Sequence, residues 1–185
     1  MKEPEVFVLA DRTLNGAVME IGGDQWDARV AGGGTLREVA ASFAADDARV
    51  PDLLAGRAPS PLAGDPLGDN PYRAFSDTVD RACAAALAVE DLDRPVQTGS
   101  GDLPARAWFW MANTARGLAA HDIGRALGSD EELPDDLVRG MYEEVLAHGD
   151  ELRAMGFLSE PQPVPGDAPM LVVLLAMCGR DPALI

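Results

Sequence analysis

The chain has 185 residues, 47% apolar and 25% charged, which is enough for a single domain that buries its own core without disulfide or metal support. Its formal net charge of -16 creates a field that repels phosphate backbones and anionic headgroups, so nucleic acids and membrane surfaces are excluded as partners. The two cysteines, Cys83 and Cys178, lack any close spacing and read as buried free thiols of a cytoplasmic protein. No basic stretch leads into an apolar run at the N-terminus, so no signal peptide is expected. The longest apolar run, Met170 to Cys178, is too short to span a bilayer.

The first predicted helix carries Val6, Leu9, Thr13, Ala17 and Ile21 at helical spacing and stops at Gly22-Gly23. Thr35 and Glu38 form a capping-box pair that opens the second, whose apolar stripe is Leu36, Val39, Phe43 and Val50. Pro51 marks its earliest stop, with continuation through Leu54 as the alternative. From Arg57 to Asn70 the density of proline and glycine reads as a loop. Pro71 then sits in the first turn of a third helix, with Phe75, Val79, Ala82 and Ala86 inward. A connector from Asp91 to Gly101 leads into a fourth helix from about Pro104 to Leu127, ended by Gly128. The fifth runs from Pro134 to Met155, with Leu137, Met141, Val145, His148 and Leu152 in line. A Pro-rich return delivers a short last helix, Ala168 to Cys178. No segment with strand periodicity rivals these, so the expected fold is an all-α four-helix bundle with one or two accessory helices.

Several words recur in a familiar order. They are Asp24-Gln25-Trp26-Asp27, Thr35-Leu36-Arg37-Glu38-Val39, Leu67-Gly68-Asp69-Asn70-Pro71, and the run from Ala119 through His121-Asp122 to Gly128. Together they resemble the actinobacterial DinB-like proteins grouped with mycothiol-dependent maleylpyruvate isomerase. That resemblance covers nearly the whole chain and implies a DinB-like bundle holding one divalent metal. Its usual ligands are a His on the second helix and, on a later one, an acid or His followed four residues on by a His. The matching positions here are Ser42, Ala115 and Ala119. Alanine offers no donor atom, and no His-x-x-x-His or Cys-x-x-Cys spacing replaces the lost set, so the chain reads as a member without the metal site.

Residues three or four apart share a helix face, which places Ala115, Ala119 and Asp122 together, and Ser42 with Asp46. In the resembled family the two faces meet around the metal; here they should meet around a small cavity, refilled by neighbouring side chains or by an organic ligand. Asp122, among alanines, is expected either to have a raised pKa suited to acid-base work or to pair with Arg125 or Arg37. His121 lies on the opposite side of its helix, with Trp110, Thr114 and Gly117; it is read as a packed or rim histidine, or as a base reaching in from the side. The candidate catalytic residues are therefore Asp122, Asp46 and His121. The candidate binding residues are Ser42, Ala115, Ala119, Trp108 and Met111. Trp108 and Trp110 point in nearly opposite directions, so one of them lines the pocket or an interface.

The favoured function is a metal-independent small-molecule-binding protein or enzyme of isomerase, cyclase or transferase type in specialised metabolism, with no cofactor. The alternatives are a mycothiol-dependent transferase or isomerase with a divalent metal, which the resemblance implies, and a non-catalytic partner subunit. The run Met170 to Cys178 is apolar around its whole circumference, which predicts a homodimer through this helix.

Overall fold

The computed structural model describes residues 1–31, 33–58, 64–98, 101–129 and 132–180. Six helices occur among them: α1 (Glu3–Met19), α2 (Leu36–Leu54), α3 (Pro71–Leu87), α4 (Ala105–Leu127), α5 (Asp135–Ala154) and α6 (Met170–Met177). The fold is all-α, as expected. No described helix is long and apolar enough to cross a membrane.

The helix ends follow their local chemistry. At α2 the Thr35 hydroxyl accepts from the Glu38 amide, while a Glu38 carboxylate oxygen accepts from the Thr35 amide at 2.8 Å, so each satisfies an amide left open by the helix start. The Asn70 side chain accepts from the Arg73 amide ahead of α3, where Pro71 loses no hydrogen bond. Gly128 closes α4 at φ 69°, a conformation open to glycine without a Cβ clash. The second helix continues through Pro51 to Leu54, because the missing amide falls in its last turn.

The connector that leads into α4 holds a small hairpin. Strands β1 (Pro95–Thr98) and β2 (Gly101–Pro104) pair antiparallel, with Val96 opposite Leu103. Each strand is too short to show an alternating pattern, and its prolines stand at the outer ends of the ladder, where a lost amide costs little. Val96 is fully buried and fixes the hairpin on the bundle.

In the bundle α1 packs against α4 and α3, and α3 packs against α2, whereas α2 and α4 meet over little of their length. A gap is left along the α2/α4 seam. The fully buried Phe7, Ala10 and Leu14 run down the inner face of α1 into the main core. The fifth helix lies on α4 and α1, and α6 on α5. Gly117 permits the close α4/α5 approach, since a Cβ there would run into the Met141 thioether. Trp26 packs its loop onto the bundle through Tyr72, whose ring centroid is 5.5 Å away.

Candidate functional site

Along the seam, α2 contributes Val39, Phe43, Asp46, Val50 and Leu53, and α4 contributes Trp108, Met111, Ala112, Ala115, Ala119 and Asp122. Both sets keep three- and four-residue steps, so each is one helix face, and the two helices run antiparallel past each other. Two cavities lie between them. The larger, about 320 Å³, is lined by Phe43, Asp46, Arg49, Trp108, Met111 and Arg116 together with Gln97 and Thr98 of the hairpin. The second, about 240 Å³, is lined by Val30, Val39, Leu118, Ala119, Asp122 and Arg180. Phe43 and Ala115 belong to both walls.

Beneath the larger cavity lies a buried ionic cluster that sequence reasoning did not find. Arg116 of α4 donates through Nε to Asp11 of α1 at 3.1 Å, through Nη2 to Asp47 of α2, and through Nη1 to the Ala112 carbonyl at 3.3 Å. Both carboxylates are fully buried and the guanidinium is nearly so. Burial, reinforced by the Asp47 charge, pushes the Asp11 carboxyl above its ordinary value despite Arg116. Cys83 points its thiol at Asp11 Oδ2, 3.7 Å away, and burial raises its pKa to about 12, so it is an inert thiol. The guanidinium also lies over the Phe7 ring, 4.5 Å from its centroid. A signal was available: Asp11 interrupts the inward row of α1 between Phe7 and Leu14, and a charge there demands a partner.

The expected site residues fall in different places. Ala115, Trp108, Met111 and Asp46 line the larger cavity, and Ala119 and Asp122 the second. Ser42 does not join them. It is exposed, because position 42 lies at the margin of the α2 face centred on Phe43 and Val50. Trp108 is the tryptophan on the cavity wall, tilted against Phe7 at 5.5 Å and edge-on to Phe109 at 5.0 Å. Trp110 is buried on the other side, stacked on His148 at 3.4 Å. Asp46 is half-exposed at the cavity mouth, 4.0 Å from Arg49, and partial burial raises its pKa.

Asp122 departs from the expectation of a raised pKa. Burial does push it upward, but the neighbouring His121 and an ion pair to Arg180 at 2.6 Å outweigh that, and the net direction is down. Its partner is neither Arg125 nor Arg37. Arg37 instead pairs with Asp65. His121 is largely buried, with Nδ1 3.6 Å from Asp122, and lies off both cavity walls, as a packed histidine. The buried Cys178 thiol is raised to about 11 by its surroundings.

The helical arrangement is similar to that of a known enzyme. It superposes on the crystal structure of a histidine-to-alanine mutant of the mycothiol-dependent maleylpyruvate isomerase with a TM-score of 0.57. The match covers 78% of this chain and 70% of that one at 17% identity, which establishes likeness of fold. No family model matches the chain, and no curated protein matches it by sequence.

Proposed function

We propose that the protein is a metal-independent binding protein or enzyme for a small organic molecule, held in the cavity above Arg116. One observation carries this reading. Arg116 uses three of the five N–H donors of a guanidinium on Asp11, Asp47 and Ala112, and it forms part of a cavity wall while locked in place by carboxylates from two other helices. Among the described residues no partner takes the other two donors, which leaves them for an acceptor group such as a carboxylate or carbonyl, at little entropic cost because the side chain is already ordered. Phe43, Trp108 and Phe157 supply flat apolar walls for the rest of the molecule.

Asp46 is the carboxyl group available to a ligand at this wall. Partial burial raises its pKa, the direction that favours proton transfer with a group held at this wall. Asp122, paired with Arg180, is a poorer acid-base candidate than Asp46.

A resident divalent metal does not fit the residues present. Ala115 and Ala119 carry no donor atoms, Ser42 faces solvent, and among the described residues no group of three His, Cys, Asp or Glu side chains could hold a metal ion, the Asp11–Asp47–Cys83 cluster being occupied by the Arg116 guanidinium. This donor set supports the metal-independent reading over a mycothiol-type reaction at a metal.

Binding of benzoate or hexanoate, followed by tryptophan fluorescence and calorimetry, tests the proposal. The wild type should bind at least one of them, and Trp108→Ala should weaken that binding about tenfold with the fold retained. If neither acid binds the wild type, or if both bind Trp108→Ala undiminished, the cavity is not the site.

A further inference from the structure

The two cavities share Phe43 and Ala115 as wall residues, and their chemistry differs. The Arg116 cavity carries charged and amide groups, Asp46, Arg49 and Gln97 among them, whereas the second is walled mainly by Val30, Val39, Leu118 and Ala119. Along α4 the separation from Ala112, in the first wall, to Ala119, in the second, corresponds to roughly 10 Å at the helical rise. The side chains at the junction on α4 are small. A bulky residue at position 115 would wall the two cavities off from each other, whereas alanine places only a methyl group on the α4 side of their junction.

We infer that the two cavities form one groove for an amphiphilic ligand, with a polar acyl head over Arg116 and an unbranched apolar tail running past Phe43 and Ala115 into the second cavity. The inference rests on the reading of the Arg116 cavity as a ligand site and adds the substrate class: a medium-chain acyl compound rather than a compact acid. The tail that fits a groove of this length has roughly eight to ten carbons. At the far end the Asp122–Arg180 ion pair closes the path, because an apolar tail gains nothing by entering it. The overall charge of -16 disfavours a long-range pull on anions, so the tail must supply most of the affinity.

The test is a chain-length series of unbranched carboxylates from butanoate to dodecanoate, titrated calorimetrically below their micellar concentrations. Affinity should rise about fourfold per methylene beyond hexanoate and level off near decanoate, the gain expected for burying each CH₂. Ala119→Phe fills the second cavity alone. It should abolish the rise, so that decanoate binds the variant no more tightly than hexanoate does. Leu118→Trp, at a half-buried position on the same wall, serves as the second plug should Ala119→Phe fail to fold. Wild-type affinity that does not depend on chain length overturns the inference but leaves the Arg116 site standing. A length dependence that survives in a folded plugged variant likewise overturns it. If no acid of any length binds, the groove and the underlying site fall together.

Discussion

Arg116 Nε lies 3.1 Å from Asp11 Oδ1 in the centre of the bundle, and the same guanidinium reaches Asp47, so one side chain of α4 ties α1 to α2 across a seam that has little direct packing. Both acids are fully buried, and an unpaired charge there is more costly than the pair is stabilising. Arg116→Met is therefore predicted to lower unfolding free energy by about 3–5 kcal/mol. Adding Asp11→Asn and Asp47→Asn to that variant should recover much of the loss, because no buried charge remains. Urea denaturation of the single and triple variants decides it; equal stability of wild type and Arg116→Met would show that the cluster does not hold the seam.

A second prediction concerns pH. Burial raises the Glu144 carboxyl from 4.5 to about 8, against a hydrogen bond from Asn113 Nδ2 at 2.8 Å, and raises Asp11 as well. An acid whose folded pKa lies above its unfolded value binds more protons when folded, so stability is greatest below the unfolded pKa and falls as pH rises toward the folded one. For Glu144 that window is 4.5 to about 8. Asp122, lowered, acts in the opposite sense and loses its contribution only as pH falls below 3.8. Melting temperature should thus be highest between about pH 4 and 5 and decline toward pH 8.5. Glu144→Gln should raise stability at pH 8.5 by on the order of 2 kcal/mol and change little at pH 5. A parallel shift at both pH values would contradict this assignment.

Much of the scaffold was legible in the sequence because its signals are local. The Thr35/Glu38 capping pair, Pro71 after Asn70 and Gly128 after Leu127 act within a turn of the residues that report them. The seam face of α4 was legible in two steps: helical arithmetic groups Ala115, Ala119 and Asp122 on one side of the helix, and the family resemblance implied that this side faces α2. What escaped was chemistry between distant segments. The Arg116–Asp11–Asp47 cluster joins residues up to 105 positions apart, and the Asp122–Arg180 pair spans 58, so no local pattern announces either. Ser42 failed for a geometric reason. A one-residue step rotates a helix by about 100°, and the residue that meets α4 is Phe43.

That rotation makes a third prediction. A metal site built on this seam needs its α2 donor at a position that faces Ala115 and Ala119, and Val39 satisfies this where Ser42 does not. The variant Val39→His with Ala115→Glu and Ala119→His is expected to bind zinc or nickel stoichiometrically, with the Glu and His one helical turn apart facing the third donor. The set with Ser42→His in place of Val39→His should bind at least tenfold more weakly. Competition with a chromogenic chelator measures both. Equal affinity in the two sets would mean that the helix faces are rotated from those described.

The last prediction concerns α6. Every residue of this helix is apolar, yet only Leu174, Leu175 and Ala176 are fully covered by the rest of the chain. Leu171, Val172, Val173 and Met177 are half-buried, and Met170 is 45% exposed. An α-helix that served one protein face alone would need a single apolar stripe, and polar residues opposite it would cost nothing. The uniformly apolar sequence therefore argues that the partly covered side meets another surface, and a second copy across a two-fold axis presents the same strip without requiring any further partner. The expected state at micromolar concentration is a homodimer by light scattering. Val172→Glu and Val173→Glu should each shift it toward monomer by introducing like charges that face each other across the axis. A monomeric wild type, or a dimer that persists in both variants, would place the interface elsewhere or remove it.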